Sequence, residues 1–178
     1  MAMILDGSAS VTINSGAILG ITSGTAVAST SGATIDFTSI PAWVKRLTVL
    51  FSGVSTSGTN SLLIQLGSSG SVETTSYISV NAYCGATNAA GGVTSTAGFI
   101  IFSNASANLF YGHATFTLSG SNLWIGSYLF GVNNASTYYS FQGGGNKTTS
   151  AALDRVRITT VGGTDTFDAG TVNIMYEG

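Results

Sequence analysis

Charge is nearly missing from this chain. Asp, Glu, Lys and Arg make up only 7% of its 178 residues, where an ordinary soluble domain carries about 25%. Five basic residues against seven acidic ones leave a formal net charge of −2. Nucleic-acid binding needs clustered Lys and Arg to neutralise several phosphates, and there is no such cluster, so nucleic acid is not an expected partner. A polybasic membrane patch is missing for the same reason. No apolar run approaches the roughly 20 residues of a bilayer-spanning helix, so no membrane insertion is expected. The first ten residues carry Asp6 and no basic residue, which does not read as a signal peptide. Cys84 is the only cysteine, which excludes an intrachain disulfide and leaves stability to packing and backbone ladders. It falls in phase with the apolar residues of 78–84 and is expected to be a small buried hydrophobe. His113 is the only histidine, so a metal site of paired imidazoles is excluded. One proline and no G-x-y period exclude collagen-like and proline-rich classes.

What is present is Gly, Ser, Thr, Ala and Asn on a chain that is 44% hydrophobic. Beyond the first few residues, 1–32 contain no aromatic residue. They repeat Ser-Gly at Ser15-Gly16, Ser23-Gly24 and Ser31-Gly32. An even period returns the same face of an extended chain, which predicts a short extended N-terminal arm for attachment or oligomerisation. The alternative is a low-complexity leader. From Ala33 onward, strand-like runs cover 34–40, 43–54, 61–66, 76–84, 97–103, 109–118, 122–132, 136–142, 152–161 and 171–177. Clusters of Gly, Ser, Asn and Asp separate them, the residues that turns favour. No segment sustains a 3.6-residue apolar period. The expected fold is all-β: an antiparallel β-sandwich or jelly-roll-like domain over 33–178.

Alternation predicts which faces are wet. Phe110, Ala114, Phe116 and Leu118 share one face of their strand, opposite Tyr111, His113, Thr115 and Thr117. Val156 and Ile158 oppose Arg155 and Arg157. Ile78, Val80 and Ala82 oppose Tyr77, Ser79, Asn81 and Tyr83, whose face is expected to be the wet one. The run 124–130 is apolar on both faces, as in a central strand or one covered by another subunit.

No catalytic set emerges, so no enzymatic activity, cofactor or metal centre is expected; a polysaccharide depolymerase is the enzyme alternative. His113 lacks a partner and is expected at a surface or interface. Asp165 and Asp168 could offer oxygens to calcium, but turn chemistry explains them equally well. Lys45, Arg46, Arg155 and Arg157 are expected in ion pairs, with a small anion site as the alternative. Aromatic residues on wet faces suit flat contacts with sugars or proteins. Tyr138, Tyr139 and Phe141, beside a Gly143–Asn146 loop, are therefore the candidate ligand-binding residues, with Asn146, Tyr111 and His113.

Residues 35–55 (Ile-Asp-Phe-Thr-Ser-Ile-Pro-Ala-Trp-Val-Lys-Arg-Leu-Thr-Val-Leu-Phe-Ser-Gly-Val-Ser) resemble a segment that recurs in fibre-type proteins of tailed bacteriophages. Residues 153–160 and 167–174 resemble the close of the same domain. The resemblance implies a trimeric β-sandwich at the exposed end of a virion appendage, made in the host bacterial cytoplasm. It would bind host-surface carbohydrate and join other virion proteins through its N-terminal arm. The alternative is a structural virion protein, a head fibre or decoration protein, with no receptor.

Overall fold

The computed structural model describes residues 20–85, 90–134 and 137–178, with the backbone of 12–13 and 16–17. Every regular element among the described residues is a strand. In chain order these are β1 (Thr12–Ile13), β2 (Gly16–Ala17), β3 (Thr22–Ser23), β4 (Val27–Ala28), β5 (Ile35–Thr38), β6 (Arg46–Thr56), β7 (Leu62–Ser68) and β8 (Ser71–Val72). They continue as β9 (Ile78–Gly85), β10 (Ala90–Ser95), β11 (Phe99–Ile101), β12 (Leu109–Gly120), β13 (Leu123–Asn134), β14 (Thr137–Thr148), β15 (Leu153–Thr160) and β16 (Phe167–Glu177).

Two antiparallel sheets form a β-sandwich. The large sheet runs β10-β9-β14-β13-β12-β6-β16-β3, with β4 also on β16; the small one runs β11-β7-β15-β5, with β8 on β7. Between them lies one apolar core, including Leu47, Val49, Ile64, Leu66, Phe99, Phe116, Trp124, Phe130, Val156 and Ile158. Strands β12 and β13 alternate as an antiparallel sheet with one dry face must. Phe110, Ala114 and Phe116 are buried while Tyr111, His113 and Thr117 are exposed. Trp124, Tyr128, Phe130 and Val132 point inward, and Ile125 and Leu129 outward.

Much of the expected arm, residues 1–11, 14–15 and 18–19, lies outside the described residues. Its later part belongs to the sandwich: β3 pairs with Met175 and Tyr176, and β4 with Thr171 and Val172. Ser29 is buried there and its hydroxyl donates to the Ala169 carbonyl at 2.7 Å.

Strand β9 has the reverse polarity of the sequence expectation. Ser79 and Asn81 are buried, whereas Ile78 and Val80 are exposed. The cause is the neighbouring sheet. Edge strand β11 lies against β9, and side chains of β9 take up its amides. The Ile100 N–H donates to Ser79 Oγ at 2.9 Å and the Phe102 N–H to Asn81 Oδ1 at 3.1 Å. Asn81 Nδ2 donates back to the Gln142 carbonyl at 3.1 Å. Buried amides must be paired, and here polar side chains pair them across the layers. Tyr128 adds a third tie, its hydroxyl 2.7 Å from the Ile100 carbonyl oxygen and 2.8 Å from that of Val80. Burial pushes that hydroxyl up to a pKa of about 12, against a lowering contact with Ser79.

The same inversion corrects three expectations. Cys84 is exposed. Tyr77 is buried, its hydroxyl accepting the Leu66 N–H at 2.7 Å and donating to the Glu73 carbonyl at 2.9 Å. Tyr83 stacks on Phe102 at 4.7 Å, packed against the core.

The Gly143–Asn146 loop is also absent. Those residues are the middle of β14, paired with Tyr128 to Ile125 on one side and Asn81 to Ile78 on the other. Glycine is there because the Tyr128 ring needs the space: a Cβ on Gly143 would fall 2.3 Å from its Cε2 and 2.4 Å from the Val80 carbonyl oxygen. Gly143→Ala is therefore expected to cost about 1–3 kcal/mol through overpacking. A melting temperature equal to the parent's would show that the sheet yields there freely.

Candidate functional site

The outer face of the large sheet, away from the small one, carries the exposed aromatic residues. Tyr111 on β12 stands opposite Gly131 on β13, and Tyr138 on β14 stands opposite Asn133. The two tyrosines thus flank β13 diagonally, two strands and two residues apart, about 12 Å by strand geometry. They are 47% and 66% exposed, high values for large side chains on a sheet. Between them is an open slot of about 370 Å³ lined by Tyr111, Gly131, Val132, Asn133, Tyr138 and Tyr139.

Each part has a local cause. Gly131 is an outward position of the alternating β13 strand, and a Cβ there would meet nothing closer than the Tyr111 carbonyl oxygen at 3.9 Å. The floor is therefore bare backbone. The Tyr111 ring leans over Gly53, which has φ +66°, and a Cβ there would come within 3.3 Å of the tyrosine oxygen. Tyr138 opens β14 just after the β13–β14 connection, with nothing stacked on its ring among the described residues. Asn133 supplies an amide whose buried oxygen accepts no hydrogen bond. No Asp, Glu, Lys, Arg or His lines the slot. Its means are two ring faces, an amide and backbone polar groups, which suit holding a neutral, ring-shaped, hydroxyl-bearing ligand.

Comparison with family models, curated proteins and solved structures finds no match. The site is read from its own geometry.

Of the six residues singled out in the sequence, the fold brings Tyr111, Tyr138 and Tyr139 to this slot. Tyr139 lines it from β14 while packing inward, 6.1 Å from the Phe141 ring and 6.5 Å from Tyr83. Phe141 is a correction: it is buried in the core because it occupies an inward position of a strand, not a loop. Asn146 lies towards the far end of β14, opposite Ile125 and Ile78. His113 is exposed on the same outer face but lines a separate depression with Arg46, Thr48, Thr115 and Glu177. Sequence reasoning missed Gly131 and Asn133. The signal was there, since both hold outward positions in the alternation that buries Phe130 and Val132.

Apart from Lys45, which is in no ion pair among the described residues, the acidic and basic candidates are taken up structurally. Asp165 accepts the backbone N–H and side-chain amide of Asn60, both at 2.9 Å, and Asp168 accepts the Ser55 hydroxyl. Arg157 binds Asp36 through two 2.7 Å hydrogen bonds, Arg155 pairs with Asp154 at 2.8 Å, and Arg46 with Glu177 at 3.3 Å. The Arg155 guanidinium beside Asp154 holds that carboxyl below its ordinary range, assisted by the Gly70 N–H. No group of three or more His, Cys, Asp or Glu is placed to hold a metal among the described residues.

Proposed function

We propose that this chain is a bacteriophage virion fibre or tip protein that attaches to host-surface carbohydrate through the Tyr111–Gly131–Tyr138 slot. The observation that carries the glycan reading is the pair of exposed tyrosine rings flanking a bare glycine floor in an uncharged slot. Sugars present apolar ring faces edged with hydroxyls, and tyrosine faces beside amides match both. The virion reading rests on the resemblance of 35–55 and 153–174 to phage fibre domains, and on a surface of hydroxyls and amides in place of charge. Single contacts of this kind are weak, and several copies on one particle multiply them.

The test is binding of labelled protein to intact bacterial cells, with and without their surface polysaccharide. Saturable binding lost with the polysaccharide is the expected result. Tyr111→Ala with Tyr138→Ala removes two ring contacts worth roughly 0.5–1.5 kcal/mol each. Binding should weaken about tenfold with the melting temperature unchanged; a double variant that binds as well as the parent rules the slot out. The second reading, a structural virion component without a receptor, draws on the exposed Ile78, Val80, Ile125 and Leu129. It predicts no binding to any polysaccharide-bearing cell.

A further inference from the structure

The end of β13 far from the tyrosine slot borders a second cavity. Trp124 lies near the start of that strand, roughly 30 Å from Asn133 at about 3.4 Å per residue. Three segments meet there: residues 41–45, which lead from β5 to β6, the Ser121–Asn122 turn between β12 and β13, and the start of β15. They enclose a pocket of about 270 Å³. Backbone hydrogen bonds fix the frame. The Val44 N–H donates to the Pro41 carbonyl at 3.1 Å, the Lys45 N–H to the Glu177 carbonyl at 2.8 Å, and the Leu118 N–H to the Lys45 carbonyl at 2.8 Å. Ser121 and Asn122 take φ of +38° and +67°, the sign that a two-residue hairpin turn favours. The Asn122 carbonyl accepts the Thr149 N–H at 3.0 Å.

Two donors in this frame are unused. Trp124 lines the pocket with only 2% of its surface exposed. Its indole Nε1–H has no acceptor, which makes it one of three buried side-chain nitrogen or oxygen atoms without a partner among the described residues. A buried donor left unpaired is costly, and a phenylalanine would build an apolar wall without that cost. Lys45 also lines the pocket; it is exposed and is in no ion pair among the described residues. Val44, Leu118 and Leu153 supply apolar walls, and no Asp or Glu is among the lining residues.

We propose that this pocket binds the carboxylate of a small organic acid. The Trp124 indole N–H and the Lys45 ammonium are its donors, and Val44, Leu118 and Leu153 cover its carbon skeleton. The chemistry of the pair selects the ligand. An indole N–H and an ammonium donate and cannot accept, so the ligand must bring the acceptors. One ammonium with no acid lining the pocket leaves a single positive charge. A carboxylate neutralises it, whereas a phosphate group, with nearly two negative charges, exceeds it. Charge-assisted hydrogen bonds are the strong ones, and apolar walls strengthen them further. Pockets for drug-sized ligands run about 300–1,000 Å³, so this one suits a molecule smaller than those. The inference stands apart from the tyrosine slot: a slot that binds nothing leaves it untouched.

The test is a titration of the full chain followed through its indole N–H signals by nuclear magnetic resonance. The chain has two tryptophans, and sequential assignment tells Trp124 from Trp43. The probes are sodium glucuronate, sodium acetate, inorganic phosphate and glucose, at constant ionic strength. Glucuronate is expected to move the Trp124 indole proton downfield in a saturable way and to leave Trp43 in place. Lys45→Gln changes an exposed side chain and keeps the fold; it should weaken the binding about tenfold or more. The two acid probes separate the sources. Movement with glucuronate alone assigns the pocket to an acidic sugar, with acetate alone to a free short-chain acid, and with both to the carboxylate they share; each sustains the proposal. A Trp124 signal that neither acid moves overturns it. So does movement by glucose or phosphate as large as by the acids, or a Lys45→Gln variant that binds as tightly as the parent.

Discussion

Lys147→Met is expected to lower the melting temperature by about 10 °C or more. Lys147 projects inward from β14, and its ammonium lies 2.7 Å from Glu73 Oε2, donates to the Thr75 carbonyl at 3.0 Å and sits 5.2 Å from the centre of the Tyr77 ring. Glu73 also accepts the Ser150 N–H at 2.7 Å and the Ser68 hydroxyl at 2.8 Å. Removing the cation leaves a largely buried carboxylate without its counter-charge, a change that costs about 3–5 kcal/mol; for a domain of this size each kcal/mol is about 2–4 °C. Replacing both partners, Lys147→Met with Glu73→Gln, should restore most of the loss, because no orphaned charge remains. A single variant as stable as the parent would refute the clip. Acid should reveal the same pair. Burial alone would push the Glu73 carboxyl up, but the Lys147 ammonium and the Ser150 and Ser68 donors outweigh it and take it down to about 2. A depressed carboxyl stabilises the fold above its unfolded value near 4.5. That contribution is lost as pH falls from about 4.5 to about 2. Urea unfolding across that window should show the loss in the parent, and a smaller one in Lys147→Met.

The second large effect concerns Asn81, where hydrophobic patterning argues for an apolar residue and the structure argues against one. Asn81→Leu is expected to destabilise by roughly 2–4 kcal/mol. The Phe102 amide and the Gln142 carbonyl would each lose a buried partner, at about 1–3 kcal/mol apiece, offset in part by the leucine's apolar gain. Chemical denaturation measures this directly. A variant more stable than the parent would mean that the inverted polarity of β9 serves nothing inside the molecule.

Those two residues also show where the sequence could be read and where it could not. The all-β class, and the inward faces of β12 and β15, followed from alternation, because each of these strands sets apolar side chains against one core; in β13 apolar residues on both faces hid which one is inward. Alternation failed at β9. Ser79 and Asn81 answer to amides of β11 some 20 residues away, and nothing local announces that demand. It failed again at β14, where Gly143, Gly144 and Gly145 have turn composition but lie in the strand, Gly143 clearing room for the Tyr128 ring and the other two for the backbone of β13 and β9. Phe141 was misread as a consequence, since its place beside a supposed loop argued for exposure where the strand turns it into the core. Strand β10, Ala-Gly-Gly-Val-Thr-Ser, hid for the same reason. The tyrosine slot was half legible: Tyr111 and Tyr138 could be named as exposed aromatics, but their placement on either side of Gly131 and Asn133 depends on the pairing of three strands.

The bare floor at Gly131 separates two tasks that most binding sites mix. Tyr138 stands largely in solvent, so exchanging it should change folding stability by no more than about 0.5 kcal/mol, while Tyr111, half-covered over Gly53, is the costlier wall to change. Phe130 and Val132, on the opposite side of the same strand, hold the core. The slot can thus be re-lined at positions 111 and 138 while Phe130 and Val132 keep the same scaffold beneath it.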